Sequence, residues 1–214
     1  MAVSTTTKPE LLATVFTDYI CPFCYVGDVR LDRLRDDYDL KINWCFLEIH
    51  PETPVEGMAT NALGYSSARW QTMMDNLAML AAEECITFRP HTFTTNSHKA
   101  LLLAEAAKEA GADIFYTLHR RLFEAFFTEG QNIGDESVLS GLARESGVPN
   151  EVLARAWTDD KYEQRLQLYF AAAHELDVRA TPTIFFGEKQ RIDGALPLST
   201  FRKLAQAGAE TQRA

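Results

Sequence analysis

Nowhere in this sequence is there an apolar run long enough to span a bilayer, which as a helix takes about 20 predominantly apolar residues. The opening stretch, Met1-Ala2-Val3-Ser4-Thr5-Thr6-Thr7-Lys8-Pro9-Glu10, lacks the apolar segment of a secretory leader, so a cytoplasmic protein with no membrane partner is expected. Basic residues are few: 21 Lys and Arg stand against 30 Asp and Glu, a formal net charge of −9. Phosphate backbones are gripped by clustered Lys and Arg, and no such cluster occurs, so no nucleic-acid partner is expected. Mixed-sign runs such as Asp32-Arg33-Leu34-Arg35-Asp36-Asp37 read as solvated helix faces. Cysteine is scarce: Cys21, Cys24, Cys45 and Cys85 are the four in 214 residues, too few for a disulfide scaffold. There is no repeat of solenoid type, and nothing in the sequence specifies an oligomeric state.

What is present is an ordinary globular composition, 46% hydrophobic and 24% charged, enough for a sizeable core. The length suits one compact unit carrying a large insertion. Leu11 to Thr17 is a short, β-branched apolar run and reads as a buried strand. Cys21-Pro22-Phe23-Cys24 follows, with Pro22 suited to a first helical turn. Val26, Val29, Leu31, Leu34 and Tyr38 then continue at helical spacing. Lys41 to Ile49 sends Ile42, Trp44 and Phe46 to one face and Cys45, Leu47 and Ile49 to the other, a strand buried on both faces. Such a β–α–β opening implies parallel strands joined by a right-handed crossover.

After Pro51 and Pro54 the pattern is helical. Trp70, Met73, Met74, Leu77, Leu80 and Ala81 recur at helical spacing, and Ser97 is placed to cap a helix ending at Gly111. Ile114 to Phe127 forms another, stopped by Gly130, and Asp135 caps a helix closed by Gly147. The last of the block runs from Asn150 or Glu151 to about Glu175, with a break at Thr158-Asp159. The pattern changes at Thr181-Pro182. Thr183 to Phe186 and Gln190 to Asp193 make a hairpin, and Leu198 to Ala207 closes as a helix. The expected organisation is therefore an α/β unit over residues 10–60 and 176–210, interrupted by an all-helical insertion over 61–175.

The chemistry lies in Cys21-x-x-Cys24, where a strand ends and a helix begins. A thiolate is the nucleophile of disulfide exchange, and the free N–H groups and dipole of a helix N-terminus stabilise it. The i to i+3 spacing brings the second sulfur round one helical turn to attack a mixed disulfide on the first. Cys21 is thus expected to be the exposed attacking sulfur and Cys24 the buried resolving one. Structural zinc wants a second close pair. Cys45 and Cys85 are distant singletons and the five His supply none, so no metal is expected. Cys45 and Cys85 themselves read as small packed residues. The second constellation is Thr181-Pro182-Thr183. Pro opening a strand is tolerated by a sheet, and X–Pro is the one bond at which a cis peptide is cheap. Combined with the cysteine pair, a cis bond is expected, aiming the Thr181 backbone at the site. Pro22, Phe23 and Thr181 are the expected substrate-binding residues.

These residues resemble the DsbA-like branch of the thioredoxin superfamily, through Asp18-Tyr19-Ile20-Cys21-Pro22-Phe23-Cys24 near the start and Ala180-Thr181-Pro182-Thr183 late in the chain. More closely the chain looks like the FrnE-type cytosolic disulfide oxidoreductases/isomerases. Phe46-Leu47-Glu48-Ile49-His50-Pro51, Asn96-Ser97-His98-Lys99-Ala100, Phe126-Phe127-Thr128-Glu129-Gly130-Gln131-Asn132-Ile133 and Asp193-Gly194-Ala195-Leu196-Pro197 carry that likeness over nearly the whole length. The resemblance implies a thioredoxin fold (β-α-β … β-β-α) interrupted by a helical lid. It implies Cys21 as nucleophile, Cys24 as resolver and Pro182 as the cis-proline opposite them. Asn96 and His98 become candidate groove residues, a capping Asn and a surface His being the plainer reading. The implied activity is dithiol exchange on a thiol or disulfide substrate, protein or small molecule. It needs no cofactor beyond the redox-active pair, with glutathione a candidate co-substrate. Pro22-Phe23 lacks the His that strongly oxidising periplasmic relatives carry between the cysteines, so weaker thiolate stabilisation is expected. Two other functions stand beside this one. A glutathione-dependent isomerase or transferase of the kappa or hydroxychromene carboxylate isomerase type typically has Ser where Cys21 stands. A non-catalytic redox-sensing or chaperone-like binding module would use the groove without turnover.

Overall fold

The computed structural model describes residues 8–213, and most of the N-terminal stretch read above as lacking a leader lies outside them. Strand β1 (Glu10–Thr17) ends in Val15, Phe16 and Thr17, all buried, as a strand covered on both faces requires. It runs parallel to β2 (Asp39–Phe46), in register from Glu10↔Asp39 to Thr17↔Phe46. On its other side it pairs antiparallel with β5 (Thr183–Phe186), from Ala13↔Phe186 to Phe16↔Thr183. β6 (Gln190–Asp193) completes the sheet beside β5, in the order β2-β1-β5-β6. The first and last strands of the chain thus share one sheet, and everything between β2 and β5 is an excursion from it.

Helix α1 (Pro22–Leu34) connects β1 to β2, and α8 (Leu198–Arg213) packs against β1, β5, β6 and α1. α8 outruns its expected end at Ala207 because Phe201, Ala205 and Ala209 continue one buried stripe at i, i+4 spacing. β2, in turn, stops short of its expected end at Ile49. Leu47 N–H still donates to the Thr17 carbonyl (2.9 Å), but Ile49 N–H turns to the Asp18 carboxylate (2.8 Å), which draws the chain off the ladder.

The excursion holds α2 (Ser67–Glu83), α3 (His98–Ala107), α4 (Ala112–Glu124), α5 (Glu136–Glu145), α6 (Asn150–Arg155) and α7 (Asp160–Glu175). Its helix starts follow side-chain capping: Ser66 accepts from Arg69 N–H, Asp135 from Ser137 and Val138 N–H, and Asp159, at the expected break, from Lys161 N–H. α4 runs into a π turn over Ala125–Glu129 and ends at Gly130, whose φ of 71° suits glycine. A ladder of β3 (Met58–Ala59) with β4 (Phe93–Thr94) is too short for any periodicity to announce. Among the described residues no helix is long and apolar enough to cross a membrane.

Candidate active site

β1 ends at Thr17 and α1 begins at Pro22, so the turn between them carries the chemistry. Cys21 N–H donates to the Asp18 carbonyl (3.2 Å), and Cys24 N–H donates to the Cys21 carbonyl (3.0 Å) as the helix starts. Cys21 is the N-cap, with Pro22 in the first turn and no side chain capping the remaining N–H groups. Both thiols are unbonded. The Cys21 thiol donates to the Thr181 carbonyl across 3.4 Å, joining residues 160 positions apart. The Thr181–Pro182 peptide is cis. The Pro182 ring lies so close to α1 that a Cβ at Gly27 would stand 3.1 Å from its Cγ. The antiparallel β1–β5 pairing thus brings both cysteines, Thr181 and Pro182 together, while Pro22, Phe23 and Thr181 line the same groove as Cys21.

Four expectations need correction. Cys21 is 5% exposed against 2% for Cys24, so both are buried: the Cys21 sulfur sits against the Thr181 carbonyl, and a substrate reaches it only by entering the groove. Cys85 is exposed rather than packed, because α2 stops at Glu83 and the chain turns away through Cys85 at φ 57°. Asn96 and His98 do not line the groove. They hold Glu48, which does: Asn96 Nδ2–H donates to Glu48 Oε1 (2.8 Å), and His98 Nδ1 meets Oε2 (3.1 Å). His98 Nε2 also reaches Glu163 (3.0 Å), and Glu48 foremost raises the His98 pKa. Asn96 Oδ1 caps α3 by accepting from His98 N–H (2.9 Å), the part assigned to Ser97. The Ser97 hydroxyl is drawn off to the Asp18 carboxylate instead (3.0 Å).

The two thiols are driven apart. A hydrogen bond from the Cys24 side chain, joined by the Thr181 side chain and the Cys24 N–H, lowers the Cys21 pKa against burial and the nearby Asp18 charge. Burial foremost, then Cys21 itself, pushes Cys24 well above the thiol range. Asp18 is fully buried. Its carboxylate accepts from Ile20 N–H (3.2 Å), Ile49 N–H (2.8 Å) and Ser97 Oγ–H, yet desolvation still raises its pKa to about 7. Sequence reading passed over Asp18. Its signal was a lone acid inside the apolar run Val15 to Ile20. Also missed was His119 of α4, 1% exposed, whose Nδ1 lies 2.7 Å from the Tyr19 hydroxyl and whose Nε2 lies 3.2 Å from Asp28.

The groove over Cys21 has a volume of about 530 Å³, within the range of small-molecule sites. α2 contributes Arg69, Trp70 and Met74, and α7 contributes Phe170 and His174. The helical stripe of α2 therefore has two jobs: Leu77 and Ala81 are buried, while half-buried Trp70, Met73 and Met74 face the groove.

With this geometry in place, the relationship to known proteins is direct. The family model of the DSBA-like thioredoxin domain matches residues 14–206, and the chain belongs to that family. The chain is similar to the uncharacterized protein YwbO of Bacillus subtilis, 29% identical over 193 residues that cover 88% of this chain and 92% of YwbO. Among solved structures it resembles the probable DsbA oxidoreductase SCO1869 from Streptomyces coelicolor: TM-score 0.81, 21% identity, 96% of this chain and 92% of that one. It also resembles the cytosolic disulfide reductase DsbM from Pseudomonas aeruginosa: TM-score 0.65, 17% identity, 95% of this chain and 97% of that one. At these identities the two structures speak to the fold alone.

Proposed function

We propose that this protein is a thiol–disulfide oxidoreductase working by dithiol exchange through Cys21 and Cys24. The observation that carries the reading is geometric: the Cys-x-x-Cys pair opens helix α1, with the Cys21 sulfur 3.4 Å from the Thr181 carbonyl beside the cis Thr181–Pro182 bond, and the opposed acidity of the two thiols accords with it. The Cys21 thiolate attacks one sulfur of a substrate disulfide, forming a mixed disulfide and expelling the other half as a thiolate that takes up a proton. Cys24 then loses its proton and attacks the Cys21 sulfur, expelling the second thiolate. Two electrons have passed to the substrate, and the protein holds a Cys21–Cys24 disulfide. The reverse sequence oxidises a dithiol. Thr181 and Pro182 border the sulfur under attack, and Pro22 and Phe23 form part of the substrate's bed. A cytoplasmic location is part of the same proposal.

Removing the resolving thiol tests the mechanism. Cys24→Ser should accumulate mixed disulfides on Cys21, seen by mass spectrometry, and lose insulin reduction. Cys21→Ser should form no adduct. If Cys24→Ser turns over normally and traps nothing, the dithiol mechanism is wrong.

A further inference from the structure

The lining of the groove says more than exchange chemistry requires. His50, Tyr65, Trp70 and His91 all border it and form a row of rings. Centroids are 6.2 Å apart for His50–Tyr65, 6.1 Å for Tyr65–Trp70 and 5.8 Å for Trp70–His91, the last pair within 10° of parallel. Burial lowers the His50 pKa and holds His91 down to about 4, so near neutrality both are uncharged flat rings. Phe170 of α7, 71% exposed, adds a further ring to the lining. Unsatisfied aromatic surface of this kind takes a planar apolar group.

The charges are equally particular. In a chain of net charge −9, the groove is lined by Arg69 and Arg179 and by one carboxylate, Glu48, already held by Asn96 and His98. Arg179 pairs with Asp177 (2.7 Å). Arg69 forms no ion pair among the described residues, and its guanidinium lies over the Tyr65 ring, 5.1 Å from the centroid. A guanidinium without an ion pair, lying over the Tyr65 ring beside Trp70, is a ready partner for a carboxylate on an aromatic ligand.

We propose that the groove takes a low-molecular-weight disulfide whose thiol half carries an aromatic ring and an anionic group, the ring on the Trp70 row and the anion on Arg69. This rests on the exchange reading above. The balance is the one already given: the Cys21–Cys24 dithiol gives two electrons and two protons, the substrate S–S bond breaks, two aromatic thiols leave, and the protein disulfide forms.

Single-turnover oxidation of the reduced protein tests it, in a Cys85→Ser background because Cys85 is exposed. The probes are bis(carboxynitrophenyl) disulfide (aromatic, anionic), dipyridyl disulfide (aromatic, neutral) and bis(hydroxyethyl) disulfide (aliphatic, neutral), with Cys21–Cys24 oxidation read by acid-quenched mass spectrometry. Arg69→Gln should lower the anionic-to-neutral aromatic rate ratio by about threefold to fivefold, less at high salt. Trp70→Ala should lower the aromatic-to-aliphatic ratio by about fivefold to tenfold. The pH midpoint of Cys21 alkylation by neutral iodoacetamide should not move in Arg69→Gln. If it moves, Arg69 acts on the thiol and the assignment falls. Unchanged ratios in both variants overturn the substrate assignment and leave dithiol exchange standing. Losses confined to insulin reduction would give the groove to polypeptides and overturn it equally. If none of the probes oxidises the reduced wild type, it is the exchange reading that fails.

Discussion

At the scale of the residue, Cys21 and Cys24 are the same chemical group in opposed surroundings. Cys24 is raised because its thiolate would sit in a dry interior beside a second sulfur. Cys21 is lowered chiefly by the Cys24 thiol donating to it, with the Thr181 side chain and the Cys24 N–H assisting. Native Cys21 should therefore alkylate with a pH midpoint below that of a free thiol, and Cys24 should not react. Because the Cys24 donor leads, Cys24→Ala should raise the Cys21 midpoint more than Cys24→Ser, which keeps a hydroxyl in place. Iodoacetamide labelling against pH in the Cys85→Ser background measures this. Equal midpoints in the two variants would transfer the effect to the helix terminus. The pairing was legible from Cys-x-x-Cys alone. The leading donor was not, since it depends on where two side chains point.

At the scale of the element, Arg30 of α1 is the chief polar stitch. Fully buried, it donates from Nε to Glu84 Oε1 (2.9 Å), from Nη2 to Glu83 Oε2 (2.6 Å), and from Nη1 to the carbonyls of Ala195 (3.4 Å) and Leu196. It ties α1 to the end of α2 and to the segment entering α8. Arg33 is the second partner of Glu84, at 2.6 Å. Removing Arg30 leaves buried Glu84 to the half-exposed Arg33 alone and takes the donor from the Ala195 and Leu196 carbonyls, so Arg30→Met should lose about 3 kcal/mol in urea unfolding. Replacing both members, Arg30→Met with Glu84→Leu, should recover at least about 1 kcal/mol of that loss. A double variant no better than the single would place the role of Arg30 in its two carbonyl contacts. In sequence Arg30 stands just before the mixed-sign run Asp32 to Asp37, which reads as a solvated face, and nothing local marks it as buried. Only the docking of α2 and the Ala195–Leu196 segment buries it.

At the scale of the molecule, Asp18 joins the parts: its carboxylate binds the Cys21 turn through Ile20, the exit of β2 through Ile49 and the entry to α3 through Ser97. Its pKa rises from 3.8 to about 7 on folding, chiefly by desolvation. The sign follows from linkage: the native state holds this proton more tightly, so the contribution of Asp18 to stability is fullest below its unfolded pKa. It declines as pH rises and is lost by the time pH passes about 7. His91, held down to about 4, works oppositely over part of the range, losing stability as pH falls. A comparison of variants isolates Asp18. Between pH 4 and pH 8, Asp18→Asn should gain stability relative to wild type, read from paired urea curves, with each pKa unit worth about 1.4 kcal/mol. A difference independent of pH would mean that Asp18 keeps one protonation state throughout.

The sequence by itself determined the principal helices, the four strands of the main sheet and their order along the chain. Short β-branched runs, helical stripes, and breaks at Gly130, Gly147 and Asp159 are local, and each responds to forces acting within a few residues. It also determined which residues could carry exchange chemistry, because Cys-x-x-Cys at a strand-to-helix turn has its reach built into one helical turn. What the tertiary structure decided are the properties that depend on distant chain segments meeting. Thr181 lies 160 positions from Cys21 and touches it only because β5 pairs with β1. The burial of Cys21, the displacement of Ser97 toward Asp18 and the desolvation that raises the Asp18 pKa follow from which distant segments pack together, which no local pattern measures. So does the placing of the Trp70 row beside the cysteine pair: helical periodicity says which residues share a face of α2, and only packing says what that face meets.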